Sequence, residues 1–315
     1  MRNALAACIS SIFMLTIGSV SVAQELNFES TSEISEARFI YDDVLNFIRA
    51  SEMLADAADT AGILEREYFG KGSPGLTEFI KKYGLSTESL IKAMRKHPEK
   101  YAGLHTLLDP LKELESTVRG SLADLQKYIP DVVFPPTYFL VERHRGIGSG
   151  SAVGQLIAVD KWVPPLDEKT TLIIHEMVHL QQVMAVGYPK YLALFGDEKN
   201  LLGLCIREGP AEFFAHLTTG RITQDEALEY TVEHEERLWK WLAQEMDGAE
   251  TGDWMWQKPA DPEQPYHVGY AMGFRIVEAY YNQASDKAQA VKDILGVTDF
   301  VSFLNDSHYA DRFEK

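Results

Sequence analysis

The amino-acid sequence predicts a mainly helical α+β fold with a small β-sheet in the middle of the chain. Three observations support this fold class. Apolar residues recur at helical spacing over residues 31–128, short β-branched and aromatic segments follow at 132–141 and 155–159, and helical patterns return from Asp167 onward. A chain of 315 residues accommodates one large or two modest domains. We therefore expect a signal peptide, a helical N-terminal region and a second domain, over residues 1–23, 24–128 and 129–315.

The first 23 residues have the pattern of a secretory signal peptide. Arg2 is the only charged residue before Glu25, an apolar run covers residues 5–20, and small residues stand at the −3 and −1 positions of a cleavage site after Ala23. An uncleaved membrane anchor is the alternative, but the run is shorter than the roughly 20 residues that a spanning helix needs. The sequence thus predicts a periplasmic or secreted protein that keeps no stable membrane anchor after cleavage.

The charge balance argues against nucleic acid as a partner. The chain has 47 acidic and 30 basic residues, which gives a net charge of −17. A non-specific nucleic-acid binder needs a basic surface to displace counterions, and docking on anionic membranes needs one as well. The sequence does not determine the oligomeric state.

Cysteine usage indicates that no internal disulfide holds the fold. After removal of the signal peptide one cysteine remains, Cys205, so the fold depends on its core or on a metal. We expect Cys205 to be a buried structural thiol rather than a nucleophile. The tryptophans of the second half are expected to pack in the core or anchor loops rather than line a pocket; they are Trp239, Trp241, Trp254 and Trp256.

In the first half of the chain, the spacing of apolar residues and the positions of capping residues and prolines predict the helices. Helical spacing of the apolar residues begins with Phe39, Ile40 and Val44. A second helix is predicted to start at Ser86 and to end before His97-Pro98, and a third covers residues 107–128.

The predicted sheet is small and is joined by a glycine-rich link. Two strands are expected at 132–141 and 155–159, and the segment between them has four glycines over residues 146–154. This link lacks the spacing of a phosphate-binding loop. Residues 148–154 are expected to form either a lid at the rim of a cleft or a mobile hairpin loop.

Helices are predicted again after Pro164-Pro165. Asp167 caps a helix over residues 170–184, and a second helix covers 198–219. The segment Thr223-Gln224-Asp225-Glu226 has the pattern of a capping box that starts a third helix. The last helices are expected to begin near Tyr266.

One motif in the first of these helices carries chemistry. His175-Glu176-Met177-Val178-His179 is an HExxH sequence, and residues four apart on a helix share one face, so both imidazoles can reach one ion. Zinc accepts neutral imidazole nitrogen, and Glu176 can reach a water beside the ion as a general base. A helix with two satisfied histidines is the alternative. The apolar neighbours Leu172 and Ile173 argue against it, because buried histidines without partners are costly.

A third ligand is expected from Arg207-Glu208-Gly209-Pro210-Ala211-Glu212. Glu208 is the best candidate, since the 28 residues that separate it from His179 allow a loop and part of a returning helix. Glu212 lies four residues further and can accept the free N–H of a ligand histidine. Pro210 would kink a continuous helix, so either the helix restarts there or Glu208 sits at a bend.

HExxH followed by EGxAE resembles the gluzincin metallopeptidases, in particular a bacterial family of predicted zinc-dependent proteases. The resemblance covers roughly residues 130–285. It implies a zincin-like catalytic core that binds one Zn²⁺ through His175, His179 and Glu208, with Glu176 as general base and a peptide or protein as substrate. It also implies that an edge strand near residues 155–159 binds extended peptide.

Acyl hydrolysis also needs a donor to the developing oxyanion. The segment Pro265-Tyr266-His267-Val268-Gly269-Tyr270 is the expected source, and we favour Tyr270, then His267, then Tyr266. Tyr270 as a core aromatic beside glycines that let helices approach is the alternative.

Three hypotheses for function follow. The first is a secreted zinc metallopeptidase in which Glu176 serves a zinc-activated water. The second is a catalytically silent, metal-stapled protein that binds peptides or proteins on a peptidase scaffold. A di-iron carboxylate bundle is discounted, because such sites need two ExxH units and the sequence has one.

Overall fold

The computed structural model describes residues 26, 28–54, 58–196 and 199–313. These residues form a mainly helical α+β fold with a small four-stranded mixed sheet, which confirms the predicted fold class. The predicted signal peptide over residues 1–23 lies outside the described residues. Among the helices of the described ranges, none combines the length and the apolar character that a membrane crossing requires.

The described residues group into two compact units. The first comprises the residues up to Gly120 together with Val133–Ile173, and the second comprises Ser121–Val132 together with the residues from Ile174 onward. The expected domain boundary between residues 128 and 129 stays a prediction, because compactness does not show which segment folds independently.

The first half of the chain forms helices whose ends follow local capping signals. They are Asp42–Met53 (α1), Thr60–Glu67 (α2), Pro74–Tyr83 (α3), Thr87–Lys96 (α4), Pro98–Ala102 (α5) and Leu108–Tyr128 (α6). Ser86 starts α4 as predicted, since its hydroxyl accepts the Ser89 N–H at 3.2 Å and its own N–H donates to the Ser89 hydroxyl at 3.0 Å. Gly84 ends α3 at a φ of 62°, a conformation that glycine adopts without steric cost.

One stretch with helical spacing forms a strand instead. Phe39–Ile40 (β1) pairs in parallel with Thr137 and Tyr138, and α1 begins only at Asp42. The expectation of a helix at Phe39 and Ile40 was therefore wrong. The partner of β1 lies far along the chain, and the spacing of nearby apolar residues carries no information about such a partner.

The sheet contains three more strands: Thr137–Leu140 (β2), Gly148–Ser151 (β3) and Gly154–Ala158 (β4). Their order is β1-β2-β4-β3, with β1, β2 and β4 parallel and β3 antiparallel to β4. The glycine-rich segment thus forms strand β3 and the tight turn of a β3–β4 hairpin, which agrees with the expectation of a hairpin rather than with that of a lid. Because β4 pairs on both sides, the expectation of an edge strand at 155–159 was wrong.

The second half of the chain is helical, as predicted. Its helices are Lys169–Val186 (α7), Tyr188–Phe195 (α8), Leu201–Thr219 (α9), Asp225–Glu233 (α10), Glu235–Glu245 (α11), Val268–Gln283 (α12), Lys287–Leu295 (α13) and Phe300–Asp306 (α14). Asn200 caps α9 by accepting the Gly203 N–H at 2.7 Å. The long apolar faces of α7, α9 and α12 are almost entirely buried.

Helix α9 continues through Pro210. Proline has no N–H, so the carbonyl of Ile206 lacks its usual helical partner, yet the helix neither ends nor restarts. Glu208 and Glu212 consequently lie one turn apart on the same face. This outcome supports the helical spacing argument for the two acids.

The predicted capping box at Thr223 does not form. Helix α10 begins at Asp225, and the preceding Gln224 makes no side-chain cap. Thr223 instead donates its backbone N–H to Glu212 at 2.7 Å and its hydroxyl to the same carboxylate. Glu212, on another helix, thus takes up the groups of Thr223 that a cap would have used.

Glycines let α9 and α12 approach closely. A Cβ atom at Gly273 would lie 1.9 Å from the backbone carbonyl oxygen of Cys205, and one at Gly209 would lie 2.4 Å from the carbonyl oxygen of Gly273. Backbone atoms cannot rotate away as side chains do. The contact therefore requires glycine at both positions, and it brings Tyr270 on α12 beside the helix that carries Glu208.

Candidate metal centre

Three buried side chains from two helices converge on one point. His175 and His179 lie one turn apart on α7, and Glu208 lies on α9. The facing atoms are 3.1 Å apart for the two Nε2 atoms, 3.1 Å for His179 Nε2 and Glu208 Oε2, and 3.4 Å for His175 Nε2 and Glu208 Oε2. Within the described part of the chain, these residues form a group that could hold a metal ion. The structure thus brings together the three residues that the sequence proposed as ligands.

The far nitrogen of each imidazole faces an acceptor. His179 Nδ1 lies 2.8 Å from Gln182 Oε1, and His175 Nδ1 lies 3.3 Å from Glu212 Oε1. An acceptor beside Nδ1 favours the tautomer that carries its proton on that nitrogen, which would leave a lone pair on Nε2. With Glu208 Oε2, three lone pairs point into one small volume. A cation at this point could bind all three groups.

The separations fit a tetrahedral zinc ion. With bonds of roughly 2.0–2.1 Å to nitrogen and oxygen, two ligands of a tetrahedron lie about 3.3 Å apart. The observed distances of 3.1 to 3.4 Å lie close to this value. Two imidazoles and one carboxylate are also a donor set of catalytic zinc sites, in which solvent takes the fourth position. The chemistry and spacing of the residues present therefore fit Zn²⁺.

The electrostatics of the pocket favour a bound cation. Burial opposes ionisation of Glu208, but the adjacent Arg207 guanidinium and the histidines hold the pKa of this carboxyl well below its usual range. Burial lowers the pKa of His175, yet the carboxylates of Glu212 and Glu208 outweigh it and raise the pKa to about 10. Both shifts reflect carboxylates placed against the imidazole pair, and this surplus of negative charge suits a bound cation.

Glu176 lies beside the ligand set and outside it. Its side chain is fully buried, and it is not among the three residues that converge. Its neighbour on the helix is His175, from which it is turned by about 100° around the axis. The expected role of Glu176 as general base stays a prediction.

Glu212 lies where the sequence predicted an orienting acid. Its Oε1 faces His175 Nδ1 at 3.3 Å, and Thr223 holds the same carboxylate from the other side. The carboxylate can therefore accept the imidazole N–H without turning toward the metal-binding cluster.

The three candidate oxyanion donors form a chain of rings. The Tyr270 ring stacks on His175, with centroids 6.1 Å apart and planes at 14°. The His267 ring lies 5.1 Å from that of Tyr270, and the Tyr266 ring 6.0 Å from that of His267. Tyr270 and His267 are buried, whereas Tyr266 is half-buried. Of the three, Tyr270 contacts a residue of the converging group.

Burial sets the protonation of the two inner candidates. It raises the pKa of Tyr270 well above its usual value, so the phenol keeps its proton. It lowers the pKa of His267 to about 4, so this ring is neutral near pH 7. His267 Nε2 has no hydrogen-bond partner among the described atoms, and the residue has a φ of 67°.

Several residues at the site were not identified from the sequence. Arg207 donates to Glu208, and Gln182 faces His179 Nδ1 while its Nε2 donates to the Arg207 carbonyl oxygen at 3.0 Å. Trp256, which we expected to serve packing, donates its Nε1–H to the Tyr270 hydroxyl at 3.0 Å. The signal for Gln182 was its spacing, three residues after His179 on the same helical face.

Cys205 takes no part in this arrangement. The thiol is buried and free, and burial raises its pKa to about 12. A thiol with so high a pKa is a poor nucleophile at neutral pH. The expected burial of the thiol is therefore confirmed, and its structural role stays a prediction.

Comparison with known proteins supports the same metal. Residues 143–295 match the DUF2268 family, described as a predicted Zn-dependent protease. The matched segment contains all three converging residues, Glu176 and Tyr270. No curated protein and no solved structure matches the chain.

Proposed function

We propose that this protein is a zinc-dependent metallopeptidase that hydrolyses peptide bonds in a peptide or protein substrate. The observation that carries the proposal is the set of two imidazole nitrogens and one carboxylate oxygen within 3.4 Å of one another. His175, His179 and Glu208 would hold one zinc ion. The similarity of residues 143–295 to predicted Zn-dependent proteases supports both the metal and the reaction class.

The chain's own residues suit peptide hydrolysis. When bound, zinc would polarise the scissile carbonyl and lower the pKa of a water molecule. Glu176 is the proposed general base, which takes a proton from the attacking water and delivers it to the leaving amine. Gln182 Oε1 lies within hydrogen-bond distance of His179 Nδ1, and Glu212 faces His175 Nδ1 at 3.3 Å, so both would help to keep Nε2 directed at the ion.

We propose Tyr270 as the donor to the oxyanion. Its hydroxyl oxygen accepts the Trp256 N–H at 3.0 Å, which leaves its own O–H to donate elsewhere. Its high pKa keeps this proton in place at neutral pH. His267 and Tyr266 are the alternative donors, and the unpartnered Nε2 of His267 is what supports that residue.

We also propose that the protein is exported to the periplasm or beyond. The basis is the charge-poor, apolar segment before Ala23. Mass spectrometry of the protein recovered from the extracytoplasmic fraction should find Gln24 as the first residue. Recovery of an intact Met1 N terminus from the membrane fraction would favour an uncleaved anchor.

The proposal is tested by metal content together with cleavage of a mixed peptide library. We expect one zinc ion per chain, cleavage that a chelator abolishes, and recovery when zinc is restored. Glu176→Gln should retain zinc and lose cleavage, because an amide cannot accept the proton. Full activity of this variant would remove Glu176 from the mechanism.

A zinc-loaded wild-type protein that cleaves no peptide but captures peptides from the library would support the metal-stapled binding protein instead. Absence of any stoichiometric divalent metal after loading would overturn both hypotheses.

A further inference from the structure

Glu208 presents one of its two carboxylate oxygens to the imidazole pair. Oε2 lies 3.1 Å from His179 Nε2 and 3.4 Å from His175 Nε2. Oε1 instead accepts two hydrogen bonds from the Arg207 guanidinium, from Nε at 2.9 Å and from Nη2 at 2.5 Å. One oxygen of the Glu208 carboxylate therefore pairs with the Arg207 guanidinium, and the other faces the two imidazoles.

Arg207 has contacts that hold it in place apart from its pairing with Glu208. The residue is 2% exposed, and the carbon of its guanidinium lies 5.7 Å from the Phe195 ring centroid and 5.8 Å from that of Trp256. Its backbone carbonyl accepts a hydrogen bond from Gln182 Nε2 at 3.0 Å. Aromatic contacts with a desolvated guanidinium are attractive, so the position of Arg207 does not depend on the carboxylate alone.

We infer that Arg207 is a positioning residue that restricts Glu208 to a single metal-binding oxygen and so keeps a fourth coordination position open. The inference rests on the proposed function, because it presupposes that the converging residues hold zinc. A carboxylate with both oxygens free can bind an ion through both, which adds a ligand. Catalytic zinc sites need that position for water or substrate.

The test compares the coordination of the bound metal in wild type and Arg207→Met. This change removes both donors to Oε1 and keeps an apolar stem of similar length. In the Co²⁺-loaded proteins we expect the intense visible bands of a four-coordinate ion for wild type and weaker bands of a five-coordinate ion for the variant. X-ray absorption of the zinc-loaded variant should show one added oxygen neighbour.

Metal affinity separates this role from a merely structural one. Competition with a chromophoric chelator should show no loss of affinity in Arg207→Met, because the freed oxygen becomes an additional ligand. If Arg207 only aligned Glu208, affinity would fall and the Co²⁺ spectrum would keep its four-coordinate form. That result would overturn the inference, as would a five-coordinate spectrum in wild type.

The matched control is Arg275→Met. Arg275 is half-buried and pairs with Glu235 at 2.8 Å, and neither residue belongs to the converging group, so its loss should leave the Co²⁺ spectrum unchanged. If Arg207→Met does not fold, Arg207→Leu, which also removes both donors to Oε1, is judged by the same spectral criterion. A wild-type protein that binds neither metal would overturn the proposed function itself.

Discussion

Gly273→Ala should destabilise the protein although alanine is the better helix former. The added Cβ would lie 1.9 Å from the Cys205 carbonyl oxygen and 3.1 Å from the Gly209 Cα. Carbon and oxygen approach to about 3.3 Å, so α12 must move away from α9 by roughly 1.4 Å at this point. Overpacking typically costs about 1–3 kcal/mol, and a backbone clash favours the upper end. The helix-propensity gain of about 0.5–1 kcal/mol offsets part of this, which leaves a loss of about 2 kcal/mol.

The measurement is urea unfolding followed by far-ultraviolet circular dichroism, with zinc at a fixed concentration. Gly120→Ala is the matched control, since Gly120 lies inside α6, is exposed, and a Cβ added there would meet no neighbouring atom within 4 Å. That variant should gain about 0.5–1 kcal/mol, so the same substitution has opposite signs at the two sites. Equal stabilisation of both variants would refute the close approach of α9 and α12.

Three further predictions concern the site and the first unit. Gln182→Leu should weaken zinc binding by about 10–100-fold, because one ligand imidazole loses the acceptor for its N–H. Tyr270→Phe should lower kcat by about 10²–10³-fold and leave zinc affinity unchanged, because it removes a donor needed in the transition state. Burial, and then the nearby carboxylate of Glu142, raise the pKa of Asp160 to about 7. The folded protein therefore binds this proton more tightly than the unfolded chain does, and the stability that the proton contributes is lost as the pH rises from about 4 through 7. In Asp160→Asn, the unfolding free energy should depend less on pH over this range.

Each of these predictions has a discriminating outcome. For the prediction on Gln182, the control variant is Gln181→Leu, because Gln181 is buried on the same helix and donates to a backbone carbonyl oxygen. Equal loss of zinc affinity in the two variants would contradict the role given to Gln182. An unchanged kcat in Tyr270→Phe would transfer the donor role to His267. For Asp160, the slope of unfolding free energy against pH is compared, and the same slope in wild type and variant would contradict the raised pKa.

The sequence could predict the helix that carries HExxH and the shared face of its two histidines, because this prediction needs only the spacing of residues within one helical turn. Two histidines four residues apart share a helical face wherever the helix packs. Glu208 required a further argument, from the distance along the chain and from the resemblance to gluzincins, and the roles of all three residues stay proposals until metal is measured. The doubt raised by Pro210 was settled by the packed helix, which continues through the proline.

Arg207 illustrates what sequence reasoning misses. Neighbouring residues on a helix point about 100° apart, so helical geometry gives no reason to pair Arg207 with Glu208. The guanidinium reaches the carboxylate in a setting where rings from two other segments, Phe195 and Trp256, lie against it. Thr223 is a second example. Its sequence predicts that it starts a helix as a cap, but its N–H donates to Glu212 on α9 instead, and α10 begins only at Asp225.

By itself, the sequence determined the mainly helical α+β class, the ends of a few helices such as α4 and α6, and the pair of imidazoles on one helical turn. These features depend on apolar spacing and capping residues a few positions apart. Only the tertiary structure decided that Phe39–Ile40 is a strand, that α9 and α12 meet through glycines, and which oxygen of Glu208 faces the imidazoles. Those features depend on groups distant in sequence, whose contacts exist only once the chain has packed.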